Sequence, residues 1–361
     1  MYYNKTLIYQ RYTQNMPVPG EHLVVESCPF DPDDDPPAGG FTVKNLYLSL
    51  DPYMRGQMRQ TDLTATYSTP WTEGQPAVVT ALSVILKSNN PAVKAGDLVY
   101  ALTNASEYAM VPSQLAAFTK KYPFAYTGSV PLQLPAGIAP SALIGALGVA
   151  GLSAYASFFE FVPEARLGKT LVVSAAAGGV GQLIGQIAKM QGMKVIGSTG
   201  SDEKVDFVVR ELEFDAAWNY KTESTACALK RLAPEGVDVY YDNVGGEQLE
   251  TALRHMKNYG IVIMSGMMSE LNKSSRDLYG VKSLVEVILR RLKLCGFVST
   301  DPEMLGKYAT PFEQDMGRWL VEGRIKTKEE VVDGIENSPL AFINMLQGNK
   351  FGKMVVKTGI E

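Results

Sequence analysis

Leu171-Val-Val-Ser174-Ala-Ala-Ala-Gly178-Gly179-Val180-Gly181-Gln182-Leu183-Ile184-Gly185-Gln186-Ile187-Ala188 is the stretch whose reading decides the fold. Its opening apolar run, Leu171 to Ser174, predicts a short strand that stops at the glycine cluster. Beyond the cluster, Val180, Leu183, Ile184, Ile187 and Ala188 recur at about the 3.6-residue spacing of a helix, and Gly192 supplies its stop. Val195–Thr199 predicts the next strand. Strand, glycine turn, helix and second strand in this order form the opening unit of a dinucleotide-binding fold. Glycines let backbone approach a pyrophosphate, and the helix that follows aims N–H groups and a positive dipole end at the anion. A glycine cluster alone also serves as a bare turn, so the order around it carries the reading.

Working outward, further strands are predicted at Ala216–Asn219, Val237–Tyr241, Ile261–Met264 and Leu294–Val298, with helices between them at Asp202–Leu212 and Glu247–Lys257. Alternating strands and helices imply parallel pairing through right-handed crossovers, hence an α/β fold with a Rossmann doubly wound parallel sheet. The upstream part has a different texture. Leu23–Glu26, Phe41–Leu50, Ala77–Leu86 and Asp97–Ala101 are β-branched or alternating runs separated by Gly, Pro and Asn, as expected of a compact, mostly-β domain. After a helix at Pro311–Glu322, the strand-like tail Lys353–Lys357 is expected to pair with that first domain. The expected division is therefore 1–140 with 323–361 for the mostly-β domain and 141–322 for the nucleotide domain. Ala142–Phe159 is uncharged and long enough to cross a bilayer. Its Gly, Ala and Ser content and its lack of basic flanks point instead to a buried helix preceded by a turn.

Composition narrows the chemistry. The chain has 361 residues, 46% of them hydrophobic, enough for two separate cores. A net charge of −4 leaves no electrostatic footprint for nucleic acid. The acidic run Asp31–Asp35 is broken by Pro32 and lacks a closing Glu, so it reads as a solvated loop rather than a calcium site. Cys28, Cys227 and Cys295 lie far apart and suggest reduced thiols in an intracellular compartment. With no secretory signal at the start of this chain, a cytoplasmic protein is expected. The only histidines are His22 and His255. Catalytic zinc wants roughly three Cys, His or carboxylate ligands and structural zinc roughly four, and neither set can be assembled, so no metal is expected. No serine sits in a G-x-S-x-G elbow.

The second strand separates NAD from NADP. An NAD enzyme usually ends it with an acid that binds the ribose hydroxyls. Here the run is Val195-Ile-Gly-Ser-Thr-Gly-Ser201-Asp202-Glu203-Lys204. The strand end is small and neutral, leaving room for a 2′-phosphate, and Lys204 supplies positive charge one helical turn on. Asp202 and Glu203 suit the first turn of a helix, where the dipole favours them. NADPH is the expected cofactor; a solvated helix lysine is the plainer alternative for Lys204.

At this point the residues resemble a known family. GLSAYASFFE (151–160), VSAAAGGVGQLIGQIAK (173–189), GSDEK (200–204), NYK (219–221), YDNVGG (241–246), CGFV (295–298) and FGKMVVK (351–357) are similar to the zinc-independent medium-chain dehydrogenase/reductase branch of alkenal double-bond reductases and prostaglandin/leukotriene reductases. SLDPYMRGQM (49–58), the 77–100 stretch and SEYAMV (106–111) extend the resemblance over nearly the whole chain. It implies a GroES-like catalytic domain beside the Rossmann domain, with NADPH in the cleft between them. It further implies that Gly178, Gly179, Val180, Gly181 and Gln182 hold the pyrophosphate, and that Lys204 and Tyr220 meet the 2′-phosphate. Asn243 would lie near the cofactor's ribose and phosphates. Ser265, Gly266 and Met267 would pass beneath it, and backbone groups of Phe297 and Val298 would reach the nicotinamide. Tyr220 as a packed edge aromatic and Asn243 as a turn residue before Gly245 and Gly246 are the bland alternatives.

Three departures stand out. Leu271, in SELN, occupies the place of a frequent family tyrosine; Lys350 replaces an asparagine and would face a phosphate; Val149-Ala150 and Ser153 replace Met-Pro and threonine. The implied reaction is NADPH-dependent reduction of the carbon–carbon double bond of an α,β-unsaturated aldehyde or ketone, a small-molecule substrate, as in a tailoring step of metabolite biosynthesis. Charge developing on the carbonyl oxygen calls for a positioned donor, and Tyr53 is the candidate, with a tyrosine packed at a strand end as the alternative. Met54, Met58, Met264, Met267 and Met268 could line an adaptable apolar pocket, though core positions account for most of them equally simply. Quinone reduction and a non-catalytic NADPH-binding protein are the rival functions. A homodimer through the sheet edge near Leu294–Val298 is implied as well.

Overall fold

The computed structural model describes residues 2–58, 67–125, 138–274 and 276–359. Two compact units divide it, one formed by the chain to Gly148 together with the stretch from Glu329 onward, the other by Val149–Lys328.

In the first unit, β1 (Tyr2–Tyr9), β2 (Leu23–Phe30) and β4 (Gln75–Pro76) form a small sheet, with β3 (Phe41–Ser49) opening a larger one. β5 (Val78–Ser88), β6 (Asp97–Asn104), β7 (Tyr108–Val111) and β8 (Lys120–Ala125) continue that sheet by antiparallel pairing. Among the described residues before Gly148 its α-helices are one-turn pieces, α1 (Met54–Gln57) and α2 (Ser113–Ala116). Alternation along β3, β5 and β6 buries Phe41, Val43, Ile85 and Val99 in one cluster and Leu46, Leu82, Val84 and Leu98 in another. The β-branched and alternating runs at Phe41–Leu50, Ala77–Leu86 and Asp97–Ala101 thus correspond to strands buried at most positions.

The second unit is the doubly wound sheet. It opens on α3 (Val149–Phe161), a buried helix led in by a turn of 3-10 helix at Pro140–Leu143. Among the described residues no helix is long and apolar enough to cross a membrane. Then follow β9 (Thr170–Val173), α4 (Gly181–Met190), β10 (Lys194–Thr199), α5 (Asp202–Asp206), β11 (Ala216–Asn219), α6 (Thr225–Leu232), β12 (Val237–Asp242), α7 (Gly246–His255), β13 (Met256–Met264), α8 (Val285–Arg290), β14 (Lys293–Gly296) and α9 (Pro302–Val321). All strand pairs are parallel, in the order β11-β10-β9-β12-β13-β14. The order reverses between β9 and β12, the switch point beside which doubly wound folds bind ligands. Val172, Ile196, Trp218, Tyr240 and Val262 cover one sheet face against Ala228, Leu229, Leu249 and Leu253 of α6 and α7.

The chain then returns to the first unit with β15 (Glu329–Asp333), α10 (Ser338–Leu346) and β16 (Lys353–Lys357). β16 pairs antiparallel with β3, Val355 opposite Ser49, as expected for the tail.

Several expected boundaries move. The helix expected over Asp202–Leu212 is α5 followed by a wider π turn at Phe207–Glu211, closed by the Leu212 amide on Phe207 O. The helix expected from Pro311 starts at Pro302, with Pro311 inside it. β13 begins at Met256 rather than Ile261, because a register shift against β12 accommodates Asn258-Tyr259-Gly260. The strand expected over Leu294–Val298 ends at Gly296.

Helix α4 lies on its sheet at glycine range. A Cβ on Gly185 would sit 1.9 Å from the ring of Phe214, and Phe214 is buried. Gly185→Ala is therefore expected to destabilise the protein by about 1–3 kcal/mol through overpacking. A lowered urea midpoint checks this; an unchanged midpoint means that the Phe214 ring swings aside freely.

Candidate functional site: the carboxyl ends of the nucleotide sheet

The turn after β9 is compressed. A Cβ on Gly181 would lie 2.3 Å from Ala175 O and 2.9 Å from Ala176 Cα, so only glycine lets α4 start there. Ala175 takes up a left-handed φ of 50°, which an alanine adopts only when its surroundings impose it. The Ala176 amide bonds Ser198 O of β10 at 2.9 Å, and the Ser174 amide bonds Tyr241 O of β12 at 3.1 Å. The turn is thereby stitched to both neighbouring strands. Gly178, Gly179 and Val180 are half-buried, and no side chain caps α4. A tight glycine turn running into an uncapped helix N-terminus fits a pyrophosphate.

Gln182 behaves differently from expectation. Its amide group is directed along the helix, donating to Lys328 O at 3.1 Å and accepting from the Lys328 amide at 2.8 Å. Gln186, one turn on, makes the same two bonds to Lys326 at 2.8 Å each. Both glutamines are buried. They clasp the backbone of 326–328 to α4, a structural role for the Gln182 side chain.

At the end of β10, Ser201 caps α5, its Oγ accepting from the Lys204 amide at 3.3 Å. The Tyr220 hydroxyl stands 3.2 Å from where a Cβ of Gly200 would be, which places this ring beside the strand end. Asp202 is turned away, its Oδ1 accepting from Asn219 Nδ2 at 2.8 Å. Ser201 and the Tyr220 ring thus stand at a strand end followed by α5, which carries Lys204, and the Asp202 carboxylate there is engaged by Asn219.

The third strand end is built round a carboxylate. Asp242 is fully buried. Its Oδ1 accepts from the Val244 and Gly245 amides, both at 3.0 Å, and from Ser174 Oγ at 3.0 Å. Its backbone oxygen accepts the Ser265 amide at 2.8 Å and the Gly266 amide at 3.0 Å. Burial raises the carboxyl pKa; the Gly245 and Val244 amides and the Ser174 hydroxyl pull against that rise. Asp242 therefore ties together the ends of β9, β12 and β13.

Asn243 also departs from expectation: its Nδ2 donates to Ser174 O at 2.7 Å and its amide to Ser174 Oγ at 2.8 Å. It thereby holds the start of the glycine turn, with one of its two Nδ2 hydrogens engaged. Ser265 and Gly266 follow directly, and a Cβ on Gly266 would come within 3.1 Å of Asn243 O. Met267 is exposed and packs its Cε over Gly245. Phe297 and Val298 lie in the turn past β14. The Phe297 ring packs on Phe161 with centroids 5.9 Å apart, and Val298 O accepts the Asp301 amide. Nearby, Ser153 Oγ and Ser299 Oγ are 2.9 Å apart, so the serine at the family's threonine position keeps a hydroxyl partner.

Most of the expected residues thus converge along the carboxyl ends of the second unit's strands. Tyr53 and Lys350 belong to the first unit instead. Tyr53 stands at the N-terminus of α1, half-buried, with Asp51, Tyr67, Thr80 and Tyr100 around it. Burial, with Asp51, Tyr100 and Tyr67 adding to it, raises its phenol pKa well above the usual value, so it is a hydrogen-bond donor throughout the neutral range. Lys350 is half-buried in the turn between α10 and β16. Of the five methionines expected as candidates for a pocket, Met54 and Met58 are core residues. Asp242, Ser174, Gln186, Asp51 and Lys353 were not singled out from sequence. For Asp242 a signal existed: an aspartate heading D-N-V-G-G at a strand end suits an Asx turn.

Fold and site together define a two-domain dehydrogenase/reductase with a dinucleotide-type strand-end site. Known proteins agree. Residues 179–313 match the family model described as zinc-binding dehydrogenase, and residues 8–118 that described as the N-terminal domain of oxidoreductase. NADP-dependent oxidoreductase RED1 of Cochliobolus heterostrophus is 40% identical over 99% of this chain and 98% of its own. 2-Alkenal reductase (NADP(+)-dependent) of Nicotiana tabacum is 38% identical over 88% of this chain and 87% of its own. The solved structure of CurA from Vibrio vulnificus in complex with NADPH superposes with a TM-score of 0.85 at 29% identity, covering 99% of this chain and 100% of that one. The chain belongs to the medium-chain dehydrogenase/reductase family, in its zinc-independent branch. Despite the first model's description, no group of three or more His, Cys, Asp or Glu side chains among the described residues is arranged to hold a metal.

Removing the Asp242 carboxylate orphans two backbone amides and a hydroxyl, so Asp242→Ala is expected to cost at least about 2 kcal/mol. Since burial raises this pKa, the group's contribution to stability is full below the ordinary carboxylate pKa and is lost as pH rises through the folded value. The penalty of Asp242→Ala should accordingly shrink with rising pH in denaturant titrations. A penalty that grows with pH would mean that the ionised form is the one the fold prefers.

Proposed function

We propose that this protein reduces the carbon–carbon double bond of α,β-unsaturated aldehydes and ketones with NADPH. The observation that carries the reading is the end of β10: small neutral residues, Tyr220 alongside, Lys204 in the helix that follows, and an Asp202 carboxylate already engaged by Asn219. The likeness to the tobacco 2-alkenal reductase supports the substrate class, and that to the CurA complex supports NADPH.

NADPH, when bound, supplies a hydride to the substrate's β-carbon. Gly178 to Gly181 carry its pyrophosphate on backbone groups at the start of α4. Lys204 and Tyr220 hold the 2′-phosphate end, while Ser265, Gly266 and Met267 support the nucleotide from below, and backbone groups of Phe297 and Val298 serve its nicotinamide end. Lys350 adds positive charge toward a phosphate. As hydride adds, negative charge grows on the carbonyl oxygen, and the Tyr53 phenol would donate a hydrogen bond there; a proton from a phenol, a ribose hydroxyl or water then completes the α-carbon. Leu271 offers no phenol, so Tyr53 takes the larger share of this work. The three cysteines are free, which suits a reducing, cytoplasmic setting.

A screen of NADPH consumption against enals, enones and quinones tests the substrate class. Turnover of enals or enones above quinones is expected; a preference for quinones, or silence across the panel, overturns it. Within that assay Tyr53→Phe is expected to lower turnover roughly a hundredfold with NADPH affinity retained, whereas unchanged turnover removes Tyr53 from the reaction.

We further propose that the protein pairs with a second copy through β14. This strand is the end of its sheet, and α8 beside it buries none of its residues. Leu284, Val285, Ile288 and Leu289 are exposed there, Ile288 to 76%, and Leu294 extends the patch. Apolar groups beside an unpaired strand edge favour association by strand addition. Ile288→Asp should therefore halve the mass measured by light scattering; a wild type that is already monomeric refutes the pairing.

A further inference from the structure

The first unit buries a charged pair that the reaction as described does not use. Lys353, the first residue of β16, has a side chain only 4% exposed, and its Nζ lies 3.1 Å from Asp51 Oδ1. The same ammonium donates to Leu50 O at 2.6 Å and to Met354 O at 3.1 Å, so all three of its protons have acceptors. Asp51 Oδ2 accepts Ser49 Oγ at 2.5 Å. Burial lowers the lysine's pKa, and Asp51 opposes that fall. Stability does not explain such a pair, because taking two charges out of water costs about as much as their attraction returns, and apolar replacements are often as stable.

What the pair does hold is a turn. The Leu50 amide bonds Met354 O at 3.3 Å, and Asp51 O accepts the Met54 amide at 3.1 Å, starting the turn that carries Tyr53. Lys353 grips Leu50 and Asp51 at once, from a strand that is itself hydrogen-bonded to β3. Pro52 leaves one residue between this anchor and the phenol. Asp51 is also the first charged group to act on the Tyr53 ring.

We propose that the Asp51–Lys353 pair is the positioning device for Tyr53, fixing the 50–54 turn against β16 so that the phenol is held in one donating orientation. This rests on Tyr53 being the donor to the substrate oxygen. Lys353 touches no substrate in this account and acts only through the tyrosine. A small displacement of a donor from its productive position lowers turnover without weakening the grip on a cofactor held by other residues.

The test is a double-mutant cycle. Lys353→Met and the charge-balanced pair Asp51→Asn/Lys353→Met are each placed in the wild-type and in the Tyr53→Phe backgrounds, and kcat, KM for NADPH and melting temperature are measured with the best enone of the screen. Lys353→Met is expected to lower kcat roughly ten- to hundredfold with KM for NADPH unchanged, and to add almost nothing in the Tyr53→Phe background. The balanced pair should regain melting temperature while kcat stays low, which also provides a folded protein should Lys353→Met alone unfold. Equal losses in both backgrounds, or recovery of kcat together with melting temperature, would overturn the proposal and leave the pair a stabilising contact only. Unchanged turnover in Tyr53→Phe alone would instead remove the donor reading on which the proposal rests.

Discussion

The passage of Gly181 against Ala175 O sets the geometry from which the second unit's site follows. With 2.3 Å between that oxygen and the place a Cβ would occupy, α4 starts directly over the end of β9. The strain this imposes is visible in the left-handed Ala175. Bonds from Ser174 and Ala176 to the two flanking strands then hold the compressed turn open toward the switch point of the sheet. Gly185 and Gly197, both close to Phe214, keep the same helix at the same short distance further along. Backbone rather than side chains consequently forms the centre of the site, as a highly charged pyrophosphate requires when few cations are at hand.

Around this turn the polar side chains mainly hold the protein itself. Asp242 and Asn243 bind Ser174 and the Val244–Gly245 amides, and Gln182 and Gln186 clasp 326–328. The two buried carboxylates serve different ends. Asp242 is satisfied by amides and a hydroxyl and shapes backbone at a strand switch, whereas Asp51 is satisfied by a buried ammonium and a serine beside a phenol. Asp51 lies two residues from Tyr53, and Asp242 holds the amides of Ser265 and Gly266 on its backbone oxygen, so each fully bonded carboxyl residue supports groups proposed for the site. That arrangement suits a reductase with two histidines and, among its described residues, no assembled metal-ligand set, where orientation and exclusion of water support the cofactor's chemistry.

Much of this was legible in the sequence. β9, β10, β11, β12 and β16 stand within a residue or so of their expected bounds; in all but the edge strand β11 nearly every residue is buried, which leaves few alternatives. The glycine turn and the neutral end of β10 were readable for a similar reason, since close packing admits only one residue type. Errors arose where a local signal was overridden. Asn258-Tyr259-Gly260 looks like a turn but is absorbed by a register shift, and Pro311 looks like a helix start but lies inside α9, which Pro302 opens. Side-chain roles were harder still. The internal partners of the Gln182 and Asn243 side chains are 146 and 69 positions away in the chain, and Lys353 meets Leu50 across 303 positions. No spacing rule reaches that far.

The account turns on which nucleotide the second unit accepts, and a direct binding titration with NADPH and NADH measures it. NADPH is predicted to bind at least about tenfold more tightly than NADH, and Lys204→Ala should erase most of that difference. Absence of NADPH binding, or a clear preference for NADH, would contradict the account.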